Sequence, residues 1–393
     1  MNDAVIVAMG RSAIGKAPKG VFRLSRPEDI GAQVLSGVLS KVPQLAAKEI
    51  DDVIVGCAFP EAEQGMDLAK IVMAKAAPGV DIPGQTVNRF CSSGLQSIAT
   101  AANAIMAGQA EVMIAGGIEL MSTIPMGGNS VCPNPALMES HPENYVSMGI
   151  TAENVADKYG ITRQMQDEFS VESHRRAAEA RAAGKFAQEI IPVKAVTTYV
   201  DKTGRTCMGS YTVTEDEGIR PQTNMEDLAK LRTSFKAGGS VTAGNSSQTS
   251  DGAAFVVLMS SKRAAALGIN PLARFVSFAV AGVPAELMGT GPIAAIPRAL
   301  KLAGLDKTDI DLIELNEAFA SQALACINTL GLDRGRVNVN GGAIAMGHPL
   351  GCTGALLTVK LVWELQRRGG RYGMVSMCIG GGMGAAGVFE RLP

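Results

Sequence analysis

The sequence predicts an α/β fold built from two similar halves that flank a loop-rich insertion. Two observations carry this: short apolar runs alternate with stretches of helical period from residue 4 onward, and the alternation recurs from about residue 271. Such a rhythm is the pattern of strand-helix-strand units on a mostly parallel, buried sheet. With 393 residues the chain is long enough for two or three domains, at typical sizes of about 100–200 residues each.

The first half opens with the strand VIVA, a helix near PEDIGAQVLSGVLSKV and the strand DDVIVG. A second helix near GMDLAKIVMAKAA and the strand TVNRF follow. After Cys91, residues Leu95, Ile98, Ala99, Ala102, Ile105 and Met106 fall at helical spacing, with Gly108 as a stop. From about 121 to 244 the character changes. MSTIPMGGNSVCPNPALMESHPENY has the Pro, Gly, Asn and Ser content of a long ordered loop. TAENVADKYGITRQMQDEFSVESHRRAAEARAAGKF is charged and helical in period, with Thr151 and Asn154 as capping candidates. DGAAFVVLMS (251–260) then returns to the first sheet as a strand.

The second half runs RFVSFAVAG, a helix near GPIAAIPRALKLAG, DIDLIEL, the helix EAFASQALACINTLG, VNVNGG, the helix GALLTVKLVWELQRRGG and finally YGMVSMCIGGG. A weak internal match pairs DDVIVG with DIDLIEL and the VN of TVNRF with that of RVNVN. The expected divisions are 1–120 together with 245–270, then 121–244, then 271–393.

Charge narrows the function classes. The 36 Lys and Arg nearly balance 37 Asp and Glu, so no general attraction to nucleic acid or an acidic membrane is expected, and the partners are small molecules or other proteins. No apolar run approaches the ~18 residues of a membrane span. MNDAVIVAMGRSAIGK lacks the basic start of a signal or transit peptide, and FERLP is not a peroxisomal SKL ending, so a cytoplasmic location is expected. Seven cysteines with no CxxC pair do not make a disulfide framework, and no Cys and His stand at metal-ligand spacing, so no metal is expected. Gly380, Gly382 and Gly384 imitate part of a dinucleotide fingerprint, but only AAGVFERLP follows instead of a helix, which argues against a nucleotide cofactor.

Four polar residues stand where strands give way to helices or turns. In NRFCSSG, Cys91 precedes a helix whose free amides and dipole favour the thiolate. The plain alternative is a small buried thiol. Of the three histidines, His141 lies in the Pro-rich loop and His174 on a charged helix, where solvated roles are expected. His348 falls in GGAIAMGHPLGCTG, in a turn of small residues, and suits either a base or a structural hydrogen bond. Asn316, after DLIEL, reads alone as an N-cap. Cys378 enters IGGGMG, whose bare backbone could present amides to an oxyanion. Their convergence at strand ends is where ligands bind in open α/β sheets.

With these residues in view, the chain resembles the thiolase family through nearly its whole length. NRFCSSG, NEAF, GGAIAMGHPLGCTG and CIGGGMG resemble that family's four active-site blocks in the family's order, and RSAIGK, MGITAENVA and SVTAGNSSQTSDGA match it further. The resemblance implies two βαβαβαββ halves in a layered αβαβα core with an inserted loop domain. It implies an acetyl-CoA C-acyltransferase that cleaves 3-ketoacyl-CoA, with acetyl-CoA C-acetyltransferase chemistry as the alternative. Coenzyme A would be a co-substrate, with no permanently bound cofactor. Cys91 would be the acylated nucleophile, His348 its base and Cys378 the acid/base at the α-carbon. Asn316 would hold a water that, with His348, forms one oxyanion hole, and the amides of Cys91 and Gly380 would form the other. Arg220 and Ser247 fall where the family contacts CoA, and Phe235, Met148, Ala318 and Phe319 where it lines the pantetheine and acyl channel. The other cysteines, Cys57, Cys132, Cys207, Cys326 and Cys352, have no role in this scheme.

Ser147 stands where acetoacetyl-specific members tend to carry His, which favours the broader 3-ketoacyl-CoA type. Partners implied are acyl-CoA, a second copy as homodimer or dimer of dimers, and a hydratase/dehydrogenase. A non-catalytic acyl-CoA or lipid-binding relative would carry damage in the four blocks, which are intact. A ketoacyl synthase type would lack Cys378 in its final glycine block.

Overall fold

In the computed structural model, which describes residues 3–393, the strands are β1 (Ala4–Arg11), β2 (Gly15–Lys16), β3 (Asp52–Gly56), β4 (Gly84–Val87), β5 (Val112–Leu120), β6 (Val193–Val200), β7 (Thr206–Val213), β8 (Ser250–Ser260), β9 (Ala273–Gly282), β10 (Ile310–Leu315), β11 (Tyr372–Ile379) and β12 (Met383–Arg391). The helices are α1 (Pro27–Leu39), α2 (Leu68–Ala76), α3 (Ser93–Met106), α4 (Pro135–Ser140), α5 (Met148–Tyr159), α6 (Arg163–Ala182), α7 (Met225–Ala229), α8 (Ser261–Ala266), α9 (Gly291–Ala303), α10 (Ala320–Leu330), α11 (Ala343–Met346) and α12 (Leu350–Arg368).

The strands run in the order β10-β11-β12-β9-β1-β8-β5-β3-β4, and β6 pairs only with β7. The internal repeat is visible in this order. The first half reads β1-β8-β5-β3-β4 from the centre outward, and the second reads β9-β12-β11-β10, with Val337 bridging β10 in parallel where β4 lies beside β3. VNVNGG contributes only that bridge and forms no strand. The halves meet through two register pairs, Val5 with Arg274 and Ile6 with Ala273.

The expectation of a mostly parallel sheet is corrected to a mixed one. β3 pairs in parallel with β4 and β5, and β10 with β11, whereas β8 and β12 lie antiparallel to both of their main neighbours. β12, which the final glycines concealed, follows β11 through a tight turn at Gly381 and Gly382, both at positive φ, and a hairpin of that length can only be antiparallel. In the first half the chain leaves after β5 and returns at β8 from the opposite side, having passed through α4 to α7 and the β6–β7 hairpin.

Side-chain alternation along the strands builds the layers. Ile6, Ile54, Met113 and Val256 from one half, and Val375, Met377 and Phe389 from the other, face a core filled by Leu95, Ile98 and Ala102 of α3 and by Ala355, Leu356 and Val359 of α12. Val5, Val55, Ile114 and Val257 point the other way, onto Ile30 and Val34 of α1 and Leu68 of α2. In the second half Met374 and Val388 meet Ile296 of α9 and Leu324 of α10. The result is αβαβα, with α3 and α12 as the central layer; each fully buried Leu, Ile or Val there contributes about 1.5–3 kcal/mol.

Within that layer the first turns of α3 and α12 approach to backbone contact. A Cβ on Gly94 would lie 2.8 Å from the amide nitrogen of Ala355 and 2.8 Å from the Gly351 carbonyl oxygen, and one on Gly354 would lie 2.2 Å from the Leu95 amide nitrogen. Only glycine permits this approach. Gly354→Ala is therefore expected to cost about 1–3 kcal/mol by overpacking, while Gly282→Ala, whose Cβ meets nothing within 4 Å, stays within about 0.5 kcal/mol. Thermal melts of the two variants compare them directly, and overlaid curves would refute the contact.

Candidate active site

Cys91 stands in a single 3₁₀ turn, Phe90–Ser92, between the end of β4 at Val87 and the start of α3 at Ser93. Phe90 is held at φ +43°, a left-handed conformation that costs a bulky residue about 1–3 kcal/mol. Local hydrogen bonds hold it: Phe90 N donates to Asn88 Oδ1 (2.8 Å), Arg89 N donates to Ser93 Oγ (2.9 Å), and Ser93 Oγ donates to the Phe90 carbonyl (2.7 Å). The turn projects Cys91 against Ala58, Met121 and Leu350. The amides of Gly380 and of Cys91 itself point at the sulfur.

These amides do not produce a resting thiolate. Burial pushes the Cys91 thiol up to about 11, outweighing the two amides, so the sequence-based expectation of a thiolate at this helix end is corrected. His348 is buried as well, and desolvation lowers its imidazole to about 4. The pair of groups is therefore a neutral thiol and a neutral imidazole at neutral pH.

His348 lies between α11 and α12, behind Gly347 at φ +114°, where a Cβ would strike Ser250 Oγ. Its amide donates to the Gln248 carbonyl (3.1 Å) and Ser250 Oγ (3.2 Å). Its ring is held on both sides: Nε2 is 3.3 Å from Asn316 Nδ2 and Nδ1 is 2.6 Å from Thr353 Oγ1.

Asn316 is not an N-cap. α10 begins at Ala320 with Phe319 in the capping position, leaving Asn316 just past the end of β10. Its amide donates to the Ser376 carbonyl on β11 (2.9 Å), two residues from Cys378. Its Oδ1 is buried and has no partner within the protein.

Cys378 is fully buried near the end of β11, and burial, then the proximity of Cys91, hold its thiol well above the usual range. It packs in one cluster with Ala152, Val241, Met288, Ala318 and Phe319, with Met148 against it. Phe235 meets the Phe319 ring edge-on at 6.1 Å, and Ser247 N donates to the Ala318 carbonyl (2.9 Å). Met148, Ala318 and Phe319 thus form an apolar cluster around Cys378, with Phe235 against Phe319. Arg220 is separate from it, exposed two residues beyond Gly218, whose Cβ would meet the carbonyls of Ala345 and Met346.

Several expectations change. His174 is buried rather than solvated, accepts a hydrogen bond from the Arg220 amide (3.1 Å), and is lowered to about 4 by desolvation. The charged segment forms two helices, α5 and α6, divided by Gly160 at positive φ; α5 starts at Met148 after Ser147, so Thr151 and Asn154 lie inside it and cap nothing. Of the remaining thiols, Cys57, Cys326 and Cys352 are buried, Cys132 is exposed and Cys207 is half-buried.

Two further buried carboxylates, Glu119 and Glu317, frame the site. Glu119 Oε2 accepts from the Ala58 amide (2.7 Å) and the Gly351 amide (2.8 Å), and Oε1 from Gln64 Nε2 (2.7 Å), joining the walls beside Cys91 to the start of α12. Glu317 accepts from Ser173 Oγ (2.6 Å), Asn338 Nδ2 (2.8 Å) and the Ile344 amide (3.2 Å), fixing the chain beside Asn316. The signal available is a lone acid, Glu119, inside the apolar strand VMIAGGIEL; Glu317, just past DLIEL, has no comparable mark. Among the described residues no group of His, Cys, Asp or Glu is arranged to hold a metal ion, and no helix is long and apolar enough to cross a membrane.

The family model "Thiolase, N-terminal domain" matches residues 4–262, and "Thiolase, C-terminal domain" matches residues 269–391. A 3-ketoacyl-CoA thiolase of Bacillus subtilis (strain 168) is 55% identical over 390 residues, 99% of this chain and 100% of the relative. The peroxisomal 3-ketoacyl-CoA thiolase A of Mus musculus is 47% identical, over 99% of this chain and 91% of its own length. The crystal structure of the Bacillus anthracis acetyl-CoA acetyltransferase superposes with a TM-score of 0.89 at 38% identity, covering 100% of this chain and 99% of that one. With family models matched along both of its halves and a relative 55% identical over nearly its whole length, this chain belongs to the thiolase family.

Proposed function

We propose that this chain catalyses CoA-dependent cleavage of 3-ketoacyl-CoA to acetyl-CoA and a shortened acyl-CoA, through an acyl-Cys91 intermediate. The observation that carries the reading is a neutral thiol, Cys91, receiving the Gly380 amide at its sulfur beside a second buried thiol, Cys378. A neutral thiol needs its base only at the moment of attack, and an imidazole lowered to about 4 is free to accept a proton throughout the neutral range.

The steps follow from these groups. Cys91 Sγ attacks the keto carbon while its proton passes to His348 Nε2. The oxyanion that forms lies against the amides of Cys91 and Gly380. Collapse breaks the bond between the α- and β-carbons, leaving the acyl group on Cys91 and the electron pair on the acetyl-CoA enolate. That enolate is held by a water on Asn316 together with His348; the partnerless Asn316 Oδ1 supports such a water. Cys378, kept protonated by burial, supplies the proton to the α-carbon. The thiol of incoming CoA then displaces Cys91 from the acyl group, its proton restoring the thiols and imidazole to their starting states.

Arg220 and Ser247 contact CoA in this reading, and Phe235, Met148, Ala318 and Phe319 line the channel. Residues 121–244 form the substrate-binding domain, set between a first half of 1–120 with 245–270 and a second half of 271–393. Coenzyme A is a co-substrate only. The protein works in the cytoplasm as a homodimer or dimer of dimers, with a hydratase/dehydrogenase as possible partner enzyme. Ser147 and the names of the curated relatives support the 3-ketoacyl-CoA preference. The acetoacetyl-CoA alternative has support in the likeness to an acetyl-CoA acetyltransferase.

Acetoacetyl-CoA and CoA mixed with the protein are expected to lose the enolate absorbance of the substrate, and Cys91→Ala to abolish that loss; thiolysis surviving in the variant would sink the reading. A kcat/KM series over chain length decides the preference, and values that fall for every substrate longer than acetoacetyl-CoA would install the alternative. His348→Asn is expected to lower kcat by about 10²–10⁴-fold, the usual worth of general base catalysis. In that variant, alkylation of Cys91 by iodoacetamide should accelerate about tenfold per pH unit up to about 11, because only the thiolate reacts and burial disfavours it. A rate already level at pH ~8 would mean that the thiolate is not disfavoured.

A further inference from the structure

We propose that Thr353 is a positioning residue that fixes the tautomer and tilt of His348 from the first turn of α12. The inference rests on His348 being the base, and it concerns which nitrogen carries the proton before reaction. Thr353 is buried, and its Oγ1 has two neighbours: His348 Nδ1 at 2.6 Å and the Pro349 carbonyl oxygen at 2.8 Å. The hydroxyl donates to the Pro349 carbonyl, four residues back along the helix, which also receives the Cys352 and Thr353 amides. The oxygen then has only lone pairs to offer the imidazole. Nδ1 must therefore carry the proton and donate it to Thr353, which leaves the lone pair on Nε2.

The other face of the ring agrees independently. Asn316 presents Nδ2, a donor, to Nε2 at 3.3 Å, while its buried Oδ1 is left without a protein partner. A protonated Nε2 would face donor against donor. Reversing the tautomer requires both the Thr353 hydroxyl to abandon Pro349 and the Asn316 amide to rotate. One hydroxyl thus determines that the basic nitrogen is the one on the Asn316 side.

The chemistry of the partner matters as much as its position. Histidine bases are often backed by a carboxylate, which stabilises the imidazolium. Here the backing group is a neutral hydroxyl already donating elsewhere, and desolvation alone governs the ring. The imidazolium formed when Cys91 is deprotonated therefore gains no countercharge at Nδ1, which favours quick return of the proton. Thr353 orients the base without making it hold the proton.

The test uses the full-length protein with ¹⁵N-labelled histidine. Only three histidines are present, and His141→Gln and His174→Gln assign the remaining signals to His348. The wild type is expected to show a protonated Nδ1 and an unprotonated Nε2; the reverse pattern overturns the proposal whatever the activity. Thr353→Val, nearly isosteric, is expected to lose the Nδ1–H signature and to reduce kcat about 10- to 100-fold with KM within about twofold, as for other groups that orient a catalytic histidine. Thr353→Ser should restore both. A purely structural threonine would lower the melting temperature of the Val variant and leave tautomer and kcat as in the wild type, and that outcome refutes the proposal. Absence of thiolysis in the wild type would instead count against the reaction itself, so the two failures are distinct.

Discussion

The site exists because two helices from different halves touch through glycine. α3 carries Cys91 at its head and α12 carries His348 at its head, and the contacts at Gly94 and Gly354 set the distance between those heads. Gly117 and Gly351 extend the same seam: a Cβ on Gly117 would lie 2.1 Å from the Gly351 carbonyl oxygen. Glu119 then fastens it, since one carboxylate oxygen receives amides from both Ala58 and Gly351. A buried carboxylate without those donors would be costly, so the charge and the glycines are parts of one constraint. The αβαβα layering supplies the pressure that holds the helices there, and the glycines decide how near they come.

Burial at that seam also decides the protonation states. Both thiols are raised and the imidazole is lowered by the same physical cause, removal from water. A site that stored charge in advance would need a countercharge, and the buried acid Glu119 acts in the opposite direction by raising Cys91 further. Charge therefore develops only during reaction, where the amides at the Cys91 sulfur and the polar edge of Asn316 can meet it. The strained turn at Phe90 belongs to the same arrangement, because it carries Cys91 clear of the β4 end and under the Gly380 amide.

The parts legible in the sequence were those governed by local pattern. The strands DDVIVG and DIDLIEL, the helix after Cys91 and the return of 251–260 all declare themselves by period and apolar content. The four site residues declare themselves as polar groups where such elements end. Non-local pairing was not legible. β12 hid because AAGVFERLP is short and follows a run of glycines, and the antiparallel placement of β8 depends on a segment of more than a hundred residues whose path no local signal fixes. The direction of the Cys91 shift is hidden for a related reason: helix termini are visible in sequence, while the depth of burial that opposes them is a property of the assembled layers.

The repeat explains why the site can be lopsided on a symmetrical frame. Each half places the same strand order around the common centre, so each offers equivalent strand ends. The first half uses its offer for Cys91 on the turn after β4, and the second supplies Asn316 after β10, Cys378 on β11 and His348 before α12. Cys91 and His348 thus come from opposite halves. Their alignment depends on the Gly94–Gly354 seam and on the short β1–β9 junction, which carries only two register pairs. With so little sheet pairing between halves, the central helices carry much of the association, and Cys91 and His348 stand immediately before their first turns. The association of the halves and the placing of Cys91 against His348 therefore share one glycine-lined seam.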